Sequence, residues 1–181
     1  MQSAFGEDPS ISKALKVDVH PELISRWQFY ASNGMPKEDR ENLLKKYLIP
    51  EGLKAPTLND EIKSVLKEKA VKRDGYRFEA QKPASVALTA LGSAVTMINT
   101  ADQDGLDQEV FLERLADAAK LMADVQYNQS ETRKAFIYPT FVKPLQALLK
   151  KSKPDDLLFG NGLKEKIKQT KDIEKISLKN H

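Results

Sequence analysis

The side chains that could carry chemistry are few, and their spacing excludes most reactions. The chain has no cysteine and only two histidines, so disulfides, thiolate zinc sites and cysteine nucleophiles are ruled out. His20 precedes a proline in an expected loop and His181 is the last residue; neither belongs to a triad or a metal set. Asp102, Asp104 and Asp107 begin like a calcium loop, but the glycine and distal glutamate it needs are missing. An ordinary capped turn is expected there instead. Gly92, Gly105, Gly160 and Gly162 form no phosphate-binding loop. Glu113, Asp117 and Asp124 are expected on a solvent face, with nothing to orient them as an acid–base pair. The expectation is therefore a non-enzyme, with no catalytic residue, metal, cofactor or small-molecule substrate.

Two groups of residues suit binding rather than catalysis. Lys150, Lys151, Lys153, Lys164, Lys166, Lys168, Lys171 and Lys175 crowd the C-terminal region and could contact the phosphates of RNA or DNA. Glu165, Asp172 and Glu174 interrupt them and no aromatic stacks nearby, so a solvated face is the plainer reading. A third is attraction to an acidic surface on a neighbouring copy. The charge distribution allows it: Lys143 to the end holds ten lysines against five acids, whereas Asn99 to Glu131 holds eight acids against two bases. The second group is Trp27, Phe29 and Tyr30, either core packing or an aromatic patch for a partner.

The elements that must position these groups read as helices. Val86, Leu88, Leu91, Val95 and Ile98 recur at mostly three- and four-residue steps, as do Val110, Phe111, Leu115, Ala118, Met122 and Val125. Asp102-Gln103-Asp104-Gly105 separates the two runs. Gly105 can adopt the left-handed backbone that ends a helix, and Asp107 can cap the next. So short a connection makes the two helices antiparallel neighbours. Ala87, Ala90, Gly92 and Ala94 would face Ala116, Ala118 and Ala119 and let them approach closely. With the large aliphatics inward, Leu91→Asp is expected to unfold the domain.

Shorter helices flank this hairpin. Pro21 starts one that Gly34 ends, and Pro36 opens another through Tyr47, acids first and lysines last. Asn59 caps a third, expected over Asp60 to Arg73, with a break at Asp74-Gly75 or a kinked continuation through it. Pro83 is expected to kink or start the first hairpin helix. A short helix ends near Lys150, and a last amphipathic one covers Leu163 to Ile173. The fold class is thus all-α: a helical bundle around a long central antiparallel hairpin. Residues 1–20 are expected to be a disordered N-terminal segment, with one turn of helix near Ile11 to Leu15. Residues 21–150 form the bundle domain, and 151–181 a basic C-terminal helix and tail. No apolar run is long enough to span a membrane, and no signal-peptide core is seen at the N-terminus, so an intracellular location, cytoplasmic or nuclear, is expected.

Several short patterns carry a family resemblance. They are Trp27, Gly34-Met35-Pro36-Lys37-Glu38, Leu43-Leu44-Lys45-Lys46-Tyr47, Pro50-Glu51 and Ala55-Pro56-Thr57-Leu58-Asn59-Asp60-Glu61-Ile62. Together with Thr132-Arg133-Lys134 and Leu157-Leu158-Phe159-Gly160 they resemble the gag-like, capsid or nucleoprotein-type proteins of DIRS-type tyrosine-recombinase retroelements of invertebrates. The likeness spans about Leu23 to Ile176. It implies a structural or nucleoprotein role with self-association into a homo-oligomer, and it supplies no catalytic residue. Gly52-Leu53 stands where that family often has an Asn-Cys pair, and no zinc knuckle follows.

Overall fold

The computed structural model describes residues 17–101 and 105–178, with side chains through 170. Residues 1–16, 102–104 and 179–181 lie outside the described residues, and so do the side chains of Lys171, Ile173 and Lys175. Everything described is helix, turn or extended connection, with no strand among the described residues. The helices are α1 (Pro21–Asn33), α2 (Lys37–Lys46), α3 (Asp60–Val65), α4 (Glu68–Thr100), α5 (Gln108–Ile137), α6 (Lys143–Lys151) and α7 (Leu163–Leu178). Short 3-10 turns occupy Glu51–Leu53 and Tyr138–Thr140. No described helix is long and apolar enough to cross a membrane.

Local chemistry sets the helix ends. Pro21 opens α1, and the His20 side chain accepts the Glu22 N–H at 3.3 Å. The loop histidine is thus a cap. Gly34 closes α1 with φ 75°, and its N–H donates to the Tyr30 carbonyl at 2.8 Å. A Cβ on Gly34 would lie 2.7 Å from Tyr127 Cε1, so glycine serves both the backbone conformation and the close approach of α5. Asp107 caps α5 by accepting the Val110 N–H at 3.0 Å.

The helices α3 and α4 differ from the sequence reading. α3 stops at Val65, and Leu66 and Lys67 are extended, although neither glycine nor proline marks the place. α4 then runs without interruption through Gly75 and Pro83. Its first turns are secured on α5: Arg77 donates to Thr132 Oγ1 at 2.8 Å and stacks over the Phe136 ring. Docking of this kind offsets the cost of about 1 kcal/mol for a helical glycine and the hydrogen bond that proline removes.

The inward face of α4 is also a correction. Pro83, Val86, Ala87, Ala90 and Ala94 are buried, whereas Leu88, Leu91, Val95 and Ile98 are 52, 44, 51 and 54% exposed. On α5, Leu121, Ala118 and Ala123 are buried and Met122 is 51% exposed. On α4 the smaller side chains, not the large ones, share the core with Ala118 and Leu121 of α5, and they permit a closer approach of two backbones. The core gathers Met35, Tyr47, Val86, Ala87, Ala90, Ala118 and Leu121, with Tyr30, Leu43, Leu44 and Ile49 packed around it.

Candidate interaction surfaces

Three of the polar residues expected on a solvent face part company. Glu113 is exposed, but Asp117 is 4% and Asp124 0% exposed. They stand seven residues apart on α5, two helical turns, and so share one face. Over that face lie the two ends of α2. Asp124 accepts the Met35 N–H at 2.9 Å, Arg40 Nη2 at 2.7 Å and Asn128 Nδ2 at 3.2 Å. Asp117 accepts Lys46 Nζ at 2.6 Å and the Tyr47 hydroxyl at 2.7 Å. Lys46 also reaches Glu113 at 2.7 Å, and Arg114 donates to the Tyr47 oxygen at 3.2 Å.

Each carboxylate in this network faces a cation. Burial drives the Tyr47 phenol above its usual range, and its bond to Asp117 adds to that, against the opposing pull of Arg114. Burial alone would lower Lys46, but its hydrogen bonds to Asp117 and Glu113 outweigh it and the ammonium is held more firmly. The phenol and ammonium stay protonated at neutral pH, and the two aspartates lie roughly 10 Å apart along the helix axis. What this arrangement does chemically is bind α2 to α5. Among the described residues no group of three acids or histidines could hold a metal.

The aromatic trio is split by its helix. Trp27, half-buried, lines an open groove of about 840 Å³ between α1, α5 and the Pro154–Asp156 stretch. Phe29 is 59% exposed, and Tyr30 turns into the core. The Phe29 and Tyr30 rings still meet edge to face, 5.7 Å apart.

The lysines are likewise not one patch. Lys150 and Lys151 are exposed at the end of α6; Lys164, Lys166 and Lys168 are exposed on α7. Lys171 and Lys175 lie on α7 with side chains outside the described residues. Lys153 is engaged, donating to Asn33 Oδ1 at 2.6 Å. One lysine that composition did not single out is buried: Lys134 donates to Glu131 at 2.7 Å and to the Ser152 carbonyl at 2.6 Å. With it the 152–160 segment is drawn onto α5, and within that segment Pro154 is buried and Gly160 lies against the Lys153 carbonyl.

A family model described as a domain of unknown function (DUF8747) matches residues 17–161. That stretch takes in α1 to α6 with the Asp117 and Asp124 network, and ends before α7. No curated protein and no solved structure matches the chain.

Proposed function

The chain belongs to the DUF8747 family, a domain of unknown function, and from that premise we propose that it is a non-enzymatic interaction domain that associates with copies of itself. Its architecture in this reading is a helical bundle around the antiparallel α4–α5 hairpin, in the manner of the gag-like proteins it resembles. The observation that carries the reading is the division of labour on α4 and α5. The buried Asp117 and Asp124 are used up in holding α2 and the buried Lys134 in holding Ser152, while four large aliphatic side chains of α4 are left at the surface. Several residues of the gag-like patterns, Gly34, Met35, Lys46 and Tyr47, serve that internal network; they support a shared scaffold rather than a shared reaction. Light scattering over a range of concentration and salt tests the reading, with mass expected to rise with concentration. A strict monomer throughout would remove assembly.

The exposure of Lys150, Lys151, Lys164, Lys166 and Lys168 favours a second reading, contact with RNA or DNA. It predicts affinity that falls steeply with salt and weakens when these lysines become glutamine. Substitution is the right test because Lys153 and Pro154 help to pack the bundle. Binding indifferent to both salt and substitution would refute it.

A further inference from the structure

Resting on the self-association just proposed, we infer that a second copy of this chain seats on the outer stripe of α4, in an antiparallel two-fold pairing of α4 with α4. Leu88, Leu91, Val95 and Ile98 follow steps of three, four and three, the seam spacing of a coiled coil. They lie about a quarter of a turn round the helix from the buried alanine row. Each is roughly half exposed. From Pro83 to Ala101 the chain has no Asp, Glu, Lys or Arg, although 30% of the whole is charged. An outward helix face is ordinarily its charged face; one stripped of charge and lined with aliphatics marks a surface that meets protein. Beside the seam, Gly92 faces open space, so another backbone can come close.

The charges at the two ends of the stripe select the occupant. Towards the N-terminus of α4 the same register continues through Ala84 and Ala80 to Arg77, whose guanidinium also meets Thr132 and Phe136 of α5, and to the exposed Arg73. Beyond its C-terminus, the start of α5 carries the exposed acids Asp107 and Glu109, while Glu113 is already paired with Lys46. An antiparallel partner centred between Leu91 and Val95 brings the arginine end of each copy towards the acidic end of the other. A parallel partner would place like charge beside like. The surface is therefore complementary to itself under a two-fold axis, as a homodimer interface must be. Four half-exposed aliphatics and their flanks supply an area near the lower bound for specific interfaces, roughly 1,000 Å² over both copies. The dimer is accordingly expected to depend on concentration.

The absence of cysteine makes the test clean. Leu91→Cys mixed with Val95→Cys, and Leu88→Cys mixed with Ile98→Cys, are expected to give cross-linked dimers on mild oxidation. Leu88→Cys alone, and Leu112→Cys on α5 as an exposed control, are expected to give few. Leu91→Glu should keep the native melting temperature and weaken dimerisation by at least about tenfold, the loss of a central interface residue. Self-cross-linking of Leu88→Cys at the level of the mixtures would overturn the antiparallel pairing. A wild type that dimerises, but without seam cross-links above the Leu112→Cys control or without sensitivity to Leu91→Glu, would overturn this surface while leaving self-association intact. A strictly monomeric wild type would overturn both.

Discussion

Removing the Asp124 carboxylate should be the most damaging single change to the polar network. Asp124 is fully buried and accepts from a backbone N–H, an arginine and an asparagine. In Asp124→Ala the Met35 N–H loses its acceptor, which costs about 1–3 kcal/mol in a buried setting. Arg40 loses its counter-ion while its Nε already lacks a partner. Breaking a buried pair costs about 3–5 kcal/mol, but the Arg40 side chain is 32% exposed and can turn to water, so the lower part of that range applies. Together the loss is about 4 kcal/mol, a large share of a typical domain's 5–15 kcal/mol. It corresponds to a fall in melting temperature of roughly 8–16 °C for a domain of this size. Asp124→Asn keeps an oxygen for the Met35 N–H and should lose only about half as much. Denaturant unfolding followed by circular dichroism and by the single tryptophan measures both. The reasoning is refuted if Asp124→Ala lies within about 0.5 kcal/mol of wild type, or if the two variants are equally destabilised.

Leu91→Asp should change stability by less than about 1 kcal/mol, because the side chain is 44% exposed; a large drop in melting temperature would place Leu91 in the core after all. Gly34→Ala should cost on the order of 2–4 kcal/mol, from the strained backbone and the clash with Tyr127. Gly105→Ala, with φ 85° but open space around it, should cost only about 1 kcal/mol, and equal losses by thermal melts would discount the clash. Stability should fall as pH rises above about 10. Tyr47 and Tyr127 have raised pKa values in the fold, so the unfolded chain loses its protons first and binds fewer of them. Their contribution is complete below pH 10.0 and is lost as pH climbs through the folded values. Tyr47→Phe should flatten that decline, and an unchanged alkaline slope would rule the network out as its source.

Helix starts and stops were legible where the chain marks them chemically. Pro21 and Gly34 bound α1, Asp107 caps α5, and the acids and lysines of α2 sit at the ends its dipole prefers. The α3–α4 boundary was not legible, since Leu66 and Lys67 carry no breaker while Gly75 and Pro83 do. The orientation of α4 escaped for a different reason. Two stripes satisfy helical spacing, one of alanine, valine and proline and one of larger aliphatics, and hydrophobicity alone ranks the wrong one as core. Close approach favours the smaller set, which composition does not weigh. Asp117 and Asp124 were misread because an isolated aspartate belongs outside. The available signal was a matched spacing: two acids two turns apart on α5, and Arg40 with Lys46-Tyr47 nearly two turns apart on α2. Of the lysines put forward for binding, Lys150, Lys151, Lys164, Lys166 and Lys168 are exposed, and Lys153, also exposed, is tied to Asn33.

The two-point grip on α2 makes that helix behave as one mechanical piece. A slide of one turn along α5 would part Arg40 from Asp124 and Lys46 from Asp117 in the same movement, so no partly shifted position keeps half the bonds. Amide hydrogens from Met35 to Tyr47 should therefore exchange with solvent through a single shared opening, as one foldon, rather than fraying from either end.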